Sequence, residues 1–193
     1  GSIDRDVTEE KLDESYKPFL VGKDIGRFKI EYKNKWICYD QKRLHRARPE
    51  EVFISDKIVL QRISGGSNPL TATLDRNKFY TFASINNILL KHDSGYSLEY
   101  ILGIINSKLI NWYYSTNFSN RSKLTVNISK TYLEQLPIKQ VNKSQQKMMA
   151  ELVNKILTLN QELLKTYKNS NKWNEMKSEI EKVDRKIDQE VYK

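Results

Sequence analysis

Apolar and polar side chains alternate over residues 27–32 and again over 35–40, on either side of Lys33-Asn34. That period of two predicts a pair of strands joined by a tight turn. A strand pattern resumes at residues 57–63. After the breaker cluster at 64–69, strand patterns return at 70–75 and 79–82 across Arg76-Asn77, and once more at 85–91.

The period then changes. Ser97 precedes Leu98, Leu102, Ile105, Leu109 and Trp112, a 4-3-4-3 spacing that predicts one deeply packed helix with Ser97 as its cap. Ser129 heads a short helical turn that should stop before Pro137. From Lys143 onward, Met149, Leu152, Ile156, Leu159 and Leu163 recur at helical spacing, with Leu157 and Leu164 beside them. After the polar break at 169–171, Trp173, Met176, Ile180, Val183 and Ile187 repeat the pattern. Two antiparallel helices with matched seams are expected, the first near 25 residues, or roughly 37 Å at the helical rise. That length is suited to a spacer or a docking strut.

Two stretches lack any period. Residues 41–55 contain Pro49 and gather Lys42, Arg43, His45, Arg46 and Arg48 with no acid before Glu50. Residues 115–130 are rich in Ser, Thr and Asn and carry Arg121 and Lys123. Both read as loops. The pattern thus predicts an α+β fold: a β-rich body with a few packed helices, followed by a C-terminal antiparallel two-helix hairpin. We divide the chain into an acidic arm or leader at 1–15, a body at 16–140 and the hairpin at 141–193.

Charge sharpens this division. Of the 193 residues, 33 are Lys or Arg and 24 are Asp or Glu, for a formal charge of +9. Residues 1–15 carry six acids and two bases, net −4; residues 16–140 carry 20 bases and 10 acids, net +10; residues 141–193 carry 11 bases and eight acids, net +3. A body so charged attracts a polyanion and gains further by releasing condensed counterions on contact. The plainer alternative is solubility alone. No run approaches the apolar length of a spanning helix or of a secretory leader, and the single cysteine, Cys38, fits a reducing compartment, so a cytoplasmic protein without membrane partners is expected.

Catalytic signatures are sparse. His45 and His92 are the two histidines, and no metal-organising His or Cys spacing occurs. Cys38 alternates with Trp36 and reads as a buried, inert thiol. Gly65-Gly66 lacks the residues that would make it a phosphate loop, so it reads as a turn. Asp56-Lys57 before a strand is the nearest approach to a Mg²⁺-dependent nuclease, but such a pair at a strand edge is more often a charged gatekeeper than an active site. Neither catalytic residues nor metal ligands are assigned.

The remaining chemistry is recognition. Arg and Asn can read base edges, whereas Lys, Ser, Thr and His anchor phosphates. The candidate DNA contacts are Lys42, Arg43, His45, Arg46 and Arg48 in the first irregular segment, Arg62 and Ser64 at a strand end, and Asn120, Arg121, Lys123 and Thr125 in the second segment. The alternative for each segment is a solvated basic loop.

The order of segments resembles the TaqI-like C-terminal specificity domain, the target-recognition module of single-chain restriction-modification enzymes. The matching stretches are 17–25, 48–53 before the 57–59 strand, 72–75, Leu98 to Leu109 with its Asn106-Ser107-Lys108-Leu109 ending, Tyr132 to Ile138 with Leu136-Pro137-Ile138, and Ile187 to Tyr192. The resemblance implies a fold similar to half of a type I restriction specificity subunit, with double-stranded DNA as partner. It also implies that chemistry lies in methyltransferase and nuclease domains of the same parent chain, served by S-adenosylmethionine and Mg²⁺, with no cofactor here. Asn68-Pro69-Leu70 lacks the second proline and the aromatic residue of the methyltransferase motif, so no catalytic residue carries over. The expected function is sequence-specific DNA target recognition. The alternatives are a helical interaction scaffold and a metal-dependent nuclease.

Overall fold

The computed structural model of the chain describes residues 7–40, 47–65, 68–118 and 126–193. The strands are β1 (Val7–Thr8), β2 (Tyr16–Leu20), β3 (Ile25–Gly26), β4 (Lys29–Ile30), β5 (Trp36–Cys38), β6 (Lys57–Gln61), β7 (Ile63–Ser64), β8 (Ala72–Asp75), β9 (Tyr80–Thr81), β10 (Ile85–Ile88) and β11 (Val126–Asn127). The helices are α1 (Glu51–Ile54), α2 (Leu98–Asn106), α3 (Lys108–Phe118), α4 (Lys130–Leu133), α5 (Lys143–Lys165) and α6 (Asn171–Tyr192). This is the expected α+β arrangement.

β6 lies between β10 and β8 and pairs antiparallel with both. Its apolar run is explained by two-sided burial: Ile58 and Leu60 join the main core, whereas Val59 faces a second cluster with Leu20, Ile25, Phe79 and Ile85. Lys57 starts the strand fully buried. Its Nζ lies 2.6 Å from Asp75 Oδ2 and donates to the Phe53 carbonyl at 2.8 Å. Asp75 also accepts from the Asn77 and Phe79 amides, at 2.8 and 3.0 Å. A buried ion pair persists only when its remaining hydrogen-bonding capacity is met in this way.

A second sheet has the order β1-β5-β2-β9, with β2 and β9 parallel. Here the structure departs from the expected hairpin at 27–40. β4 instead turns back on β3, and β5 pairs with β1 and β2. Tertiary anchors decide the outcome: Phe28 adopts a left-handed backbone conformation, donates its amide to the Ala72 carbonyl at 3.0 Å and buries its ring in the main core. In β5 the inward residue is Ile37, so Trp36 and Cys38 are only half-buried, contrary to the buried thiol expected from alternation. The irregular stretch before β6 also holds a helix, α1, whose Phe53 packs with Tyr39 and Tyr80.

The expected helix from 98 to 112 is broken at Ser107. Asn106 reaches across to β8, donating to the Ala72 carbonyl at 2.9 Å and accepting from its amide at 3.1 Å, so its side chain imitates a neighbouring strand. Ser107 takes an extended conformation, donates its hydroxyl to the Ile104 carbonyl at 2.7 Å and receives the Ile110 amide at 3.3 Å. Asn111 then accepts the Leu70 amide at 2.7 Å and returns two bonds to Ile105 and Ser107. The rotation moves Trp112 off the packed face, leaving it 62% exposed.

α5 and α6 form the expected antiparallel pair, joined across 166–170, and their inner faces belong to the body's own core. Met149, Val153, Ile156, Val183 and Ile187 share a cluster with Leu102, Ile105 and Leu60. Gly103 permits this approach, because a Cβ there would meet Met149 Sδ at 2.7 Å. On α5 the buried face runs through Met149, Val153, Ile156 and Asn160, slightly rotated from the expected seam, and Leu164 is exposed. Polar contacts complete the joint. Arg27 donates Nε and Nη2 to the Asn106 carbonyl, at 3.0 and 2.7 Å, and Nη1 to Asp184 of α6. Asp188 of α6 accepts the Lys108 amide at 2.9 Å, capping α3. Among the described residues, no helix is long and apolar enough to cross a membrane.

Candidate nucleic-acid interface

The tight turn from β9 into β10, residues 82–84, organises one surface of the body. The Ile85 amide closes it on the Phe82 carbonyl at 3.0 Å, and the Ser84 hydroxyl accepts the Gly22 amide at 3.0 Å. A Cβ on Gly22 would stand 3.0 Å from the Ser84 carbonyl oxygen, so glycine lets the two backbones meet.

Two arginines grip this turn. Arg62, exposed between β6 and β7, donates its amide to the Ser84 carbonyl at 2.9 Å and Nη1 to the Ala83 carbonyl at 3.4 Å. Arg48, half-buried, donates Nη1 to Thr81 Oγ1 at 3.3 Å and Nη2 to the Ile85 carbonyl at 3.1 Å. Tyr39 donates its hydroxyl to the Arg48 carbonyl at 2.6 Å, which brings together the two flanks of segment 41–46. Among the described residues neither guanidinium lies in salt-bridge range of a carboxylate. Burial lowers the Arg48 pKa, the nearby Tyr39 hydroxyl opposes this, and the Arg62 charge lowers it further. An arginine still stays cationic at neutral pH. Two uncompensated positive charges therefore share one turn.

The same place joins the other candidate segments. β7 pairs with β11, setting Ser64 opposite Val126 and Ile63 opposite Asn127. The Ile128 amide donates to the Arg62 carbonyl at 2.7 Å, and Asn86 Nδ2 donates to the Ile128 carbonyl at 2.9 Å. One flank of segment 119–125 is thus stitched beside Arg62. At its other flank, Phe118 stacks on Tyr132 at 5.0 Å between centroids and meets Tyr114 edge-on.

Of the residues expected to contact DNA, Arg48, Arg62 and Ser64 are brought into this neighbourhood. Lys42, Arg43, His45, Arg46, Asn120, Arg121, Lys123 and Thr125 lie outside the described residues. Arg48 differs from the loop residue anticipated, because its side chain is committed to Thr81 and Ile85 and faces a cleft beside β10. Sequence reasoning overlooked the 82–84 turn and Asn86, which carry no motif and matter only through what they touch.

The nuclease alternative meets a different geometry. Lys57 is buried against Asp75, and Asp56 lies 3.6 Å from Arg76 at the surface. Among the described residues no three His, Cys, Asp or Glu side chains gather as a metal site.

Comparison with known proteins relates the chain to a known family and to a solved structure. The family described as the TaqI-like C-terminal specificity domain matches residues 17–138. A solved structure of the type IIL restriction-modification enzyme MmeI in complex with DNA resembles the chain with a TM-score of 0.61 at 17% identity, over 93% of this chain. The chain spans 28% of the length of that enzyme. No curated protein matches it.

Proposed function

Because the chain belongs to the TaqI-like C-terminal specificity domains, we propose that its task is to recognise a target in double-stranded DNA on behalf of catalytic domains elsewhere in its parent protein. The observation that carries this reading is the pair of guanidinium groups, Arg48 and Arg62, that hold one turn without a carboxylate partner among the described residues, beside the β7–β11 joint. Two guanidinium groups close together raise a local positive potential that favours an anion.

On this reading Arg62 and Ser64 lie against the sugar-phosphate backbone and fix register. Segments 41–46 and 119–125, through Lys42, Arg43, His45, Arg46, Asn120, Arg121, Lys123 and Thr125, supply further phosphate contacts and base readout. Arg48 supports the turn and adds to its field. Methylation and cleavage, with S-adenosylmethionine and Mg²⁺, belong to the parent's other domains, and the isolated chain turns over nothing. The likeness to a DNA-bound restriction-modification enzyme supports this assignment. The helical-scaffold alternative requires the hairpin's faces to be free, but its inner faces are packed into the body.

The test is equilibrium binding of the intact chain to a mixed-sequence duplex. Affinity should fall by orders of magnitude between roughly 50 and 200 mM salt if six or more phosphates are engaged. Binding that ignores salt, or no binding at the lowest salt, overturns the reading.

A further inference from the structure

β10 is the outer strand of its sheet, and among the described residues one edge of it has no strand beside it. The ladder shows which groups are open. The Gln61 amide bonds toward β8, to Thr71, whereas the Arg62 amide bonds toward β10, to Ser84. With Leu60 opposite Asn86 and Ile58 opposite Ile88, residues 86 and 88 bond inward. The backbone groups of Asn87 and Leu89 point outward. The Ile85 carbonyl, on that same outer edge, is the one Arg48 holds.

This edge borders a cleft of about 550 Å³ between β10 and α4. Ile101 and Ile105 of α2 form part of its lining, with Leu133, Leu136 and Ile138 on the α4 side and Arg48 and Val52 opposite. Lys130 and Glu134 stand at its border and pair with each other at 3.4 Å. Arg48 has no such partner among the described residues, and its bonds go to the neutral oxygens of Thr81 and Ile85. The cleft therefore combines aliphatic walls, an open strand edge and one half-buried cation without a counterion.

We propose that this cleft docks an extended segment of a protein partner, which adds a strand to β10, sets aliphatic side chains against Ile105, Leu133 and Ile138, and brings a carboxylate to Arg48. A nucleic-acid strand fits less well: its backbone cannot continue the amide ladder, and aliphatic walls would strip water from its phosphates without return. Strand addition takes affinity from main-chain bonds and selectivity from the alternate side chains, the two features this edge offers. The inference shares Arg48 with the proposed DNA surface, and the Leu89→Pro variant separates the two.

A displayed library of random decapeptides, panned against the intact chain and counter-selected on a Leu89→Pro variant, tests it. Proline at 89 removes an outward N–H that the sheet does not use, so the fold and duplex binding should persist. Enriched peptides should alternate aliphatic residues with one Asp or Glu. By fluorescence anisotropy they should lose at least tenfold in affinity for Leu89→Pro and, separately, for Arg48→Gln. Should Leu89→Pro fail to unfold cooperatively, the Arg48→Gln comparison decides alone. No enrichment, or peptides that bind the variants equally well, overturns the proposal. So does a dimer in sedimentation that Leu89→Pro dissolves, since the occupant is then a second copy of the chain.

Discussion

The α2–α3 elbow and the β9–β10 turn use the same side chains for opposite ends. At the elbow, Arg27 meets a carbonyl and Asp184, Asn106 replaces a strand, Asn111 serves three backbone groups and Asp188 caps a helix. At the turn, the Arg62 side chain is exposed and reaches one carbonyl at 3.4 Å, and Arg48 has no acid in range among the described residues. Polar groups satisfied inside a protein specify its shape, whereas those left incomplete at its surface are available to a partner. Residue type alone therefore does not separate scaffold from site.

The contrast predicts effects of graded size. The largest belongs to Lys57→Ala, which strands Asp75 in the core next to the scaffold side of the molecule. Urea denaturation should show a loss of about 3–5 kcal/mol, and a loss under 1 kcal/mol would mean the pair does not hold the sheet. Asn106→Ala comes next, because it leaves the buried amide of Ala72 without a partner and its carbonyl with the Phe28 amide alone, at a cost of about 1–3 kcal/mol. If that variant matches the wild type in stability, the elbow is not organised by its side chain.

Arg62→Ala reverses the pattern. Stability should stay within about 0.5 kcal/mol of wild type, while duplex affinity falls about tenfold, or ~1.4 kcal/mol. The slope of log affinity against log salt should become shallower by about 1. Equal affinity in the two proteins would remove Arg62 from the interface. The smallest effect is expected from Lys155→Ala, which breaks an exposed ion pair with Glu179 across the hairpin. Its stability change should be under ~0.5 kcal/mol, the usual worth of such pairs, and it should leave DNA binding unaltered.

Much of the fold was legible where one period runs uninterrupted. The strands at β6, β8, β9 and β10, the cap at Ser97, the turn headed by Ser129 and the two long helices all follow from spacing and local capping chemistry. The misreadings share a cause. The 27–40 hairpin yields to Phe28 and Arg27, which find their partners at Ala72, Asn106 and Asp184. The helix from 98 breaks at 107 because Asn106 and Asp188 bind across distances of 34 and 80 residues. No local window contains such information.

The candidate site was legible only in part. The charge excess and the two aperiodic segments pointed to an anionic partner, and Arg62 and Ser64 were identifiable as strand-end positions. That Arg48 turns inward beside β10 was not visible, because a cationic side chain in an irregular stretch looks the same whether it faces solvent or a cleft.

The amino-acid pattern by itself determined the element types wherever one period runs unbroken, the net +10 of residues 16–140 and the lack of recognised catalytic and metal-binding spacings in the sequence, since these depend on composition and short-range period. Only the tertiary structure decided which polar groups are satisfied. A hydrogen bond closes between groups that folding brings within about 3 Å, wherever they stand in the chain, and that proximity turned Arg27 into part of the frame and left Arg62 exposed at the surface.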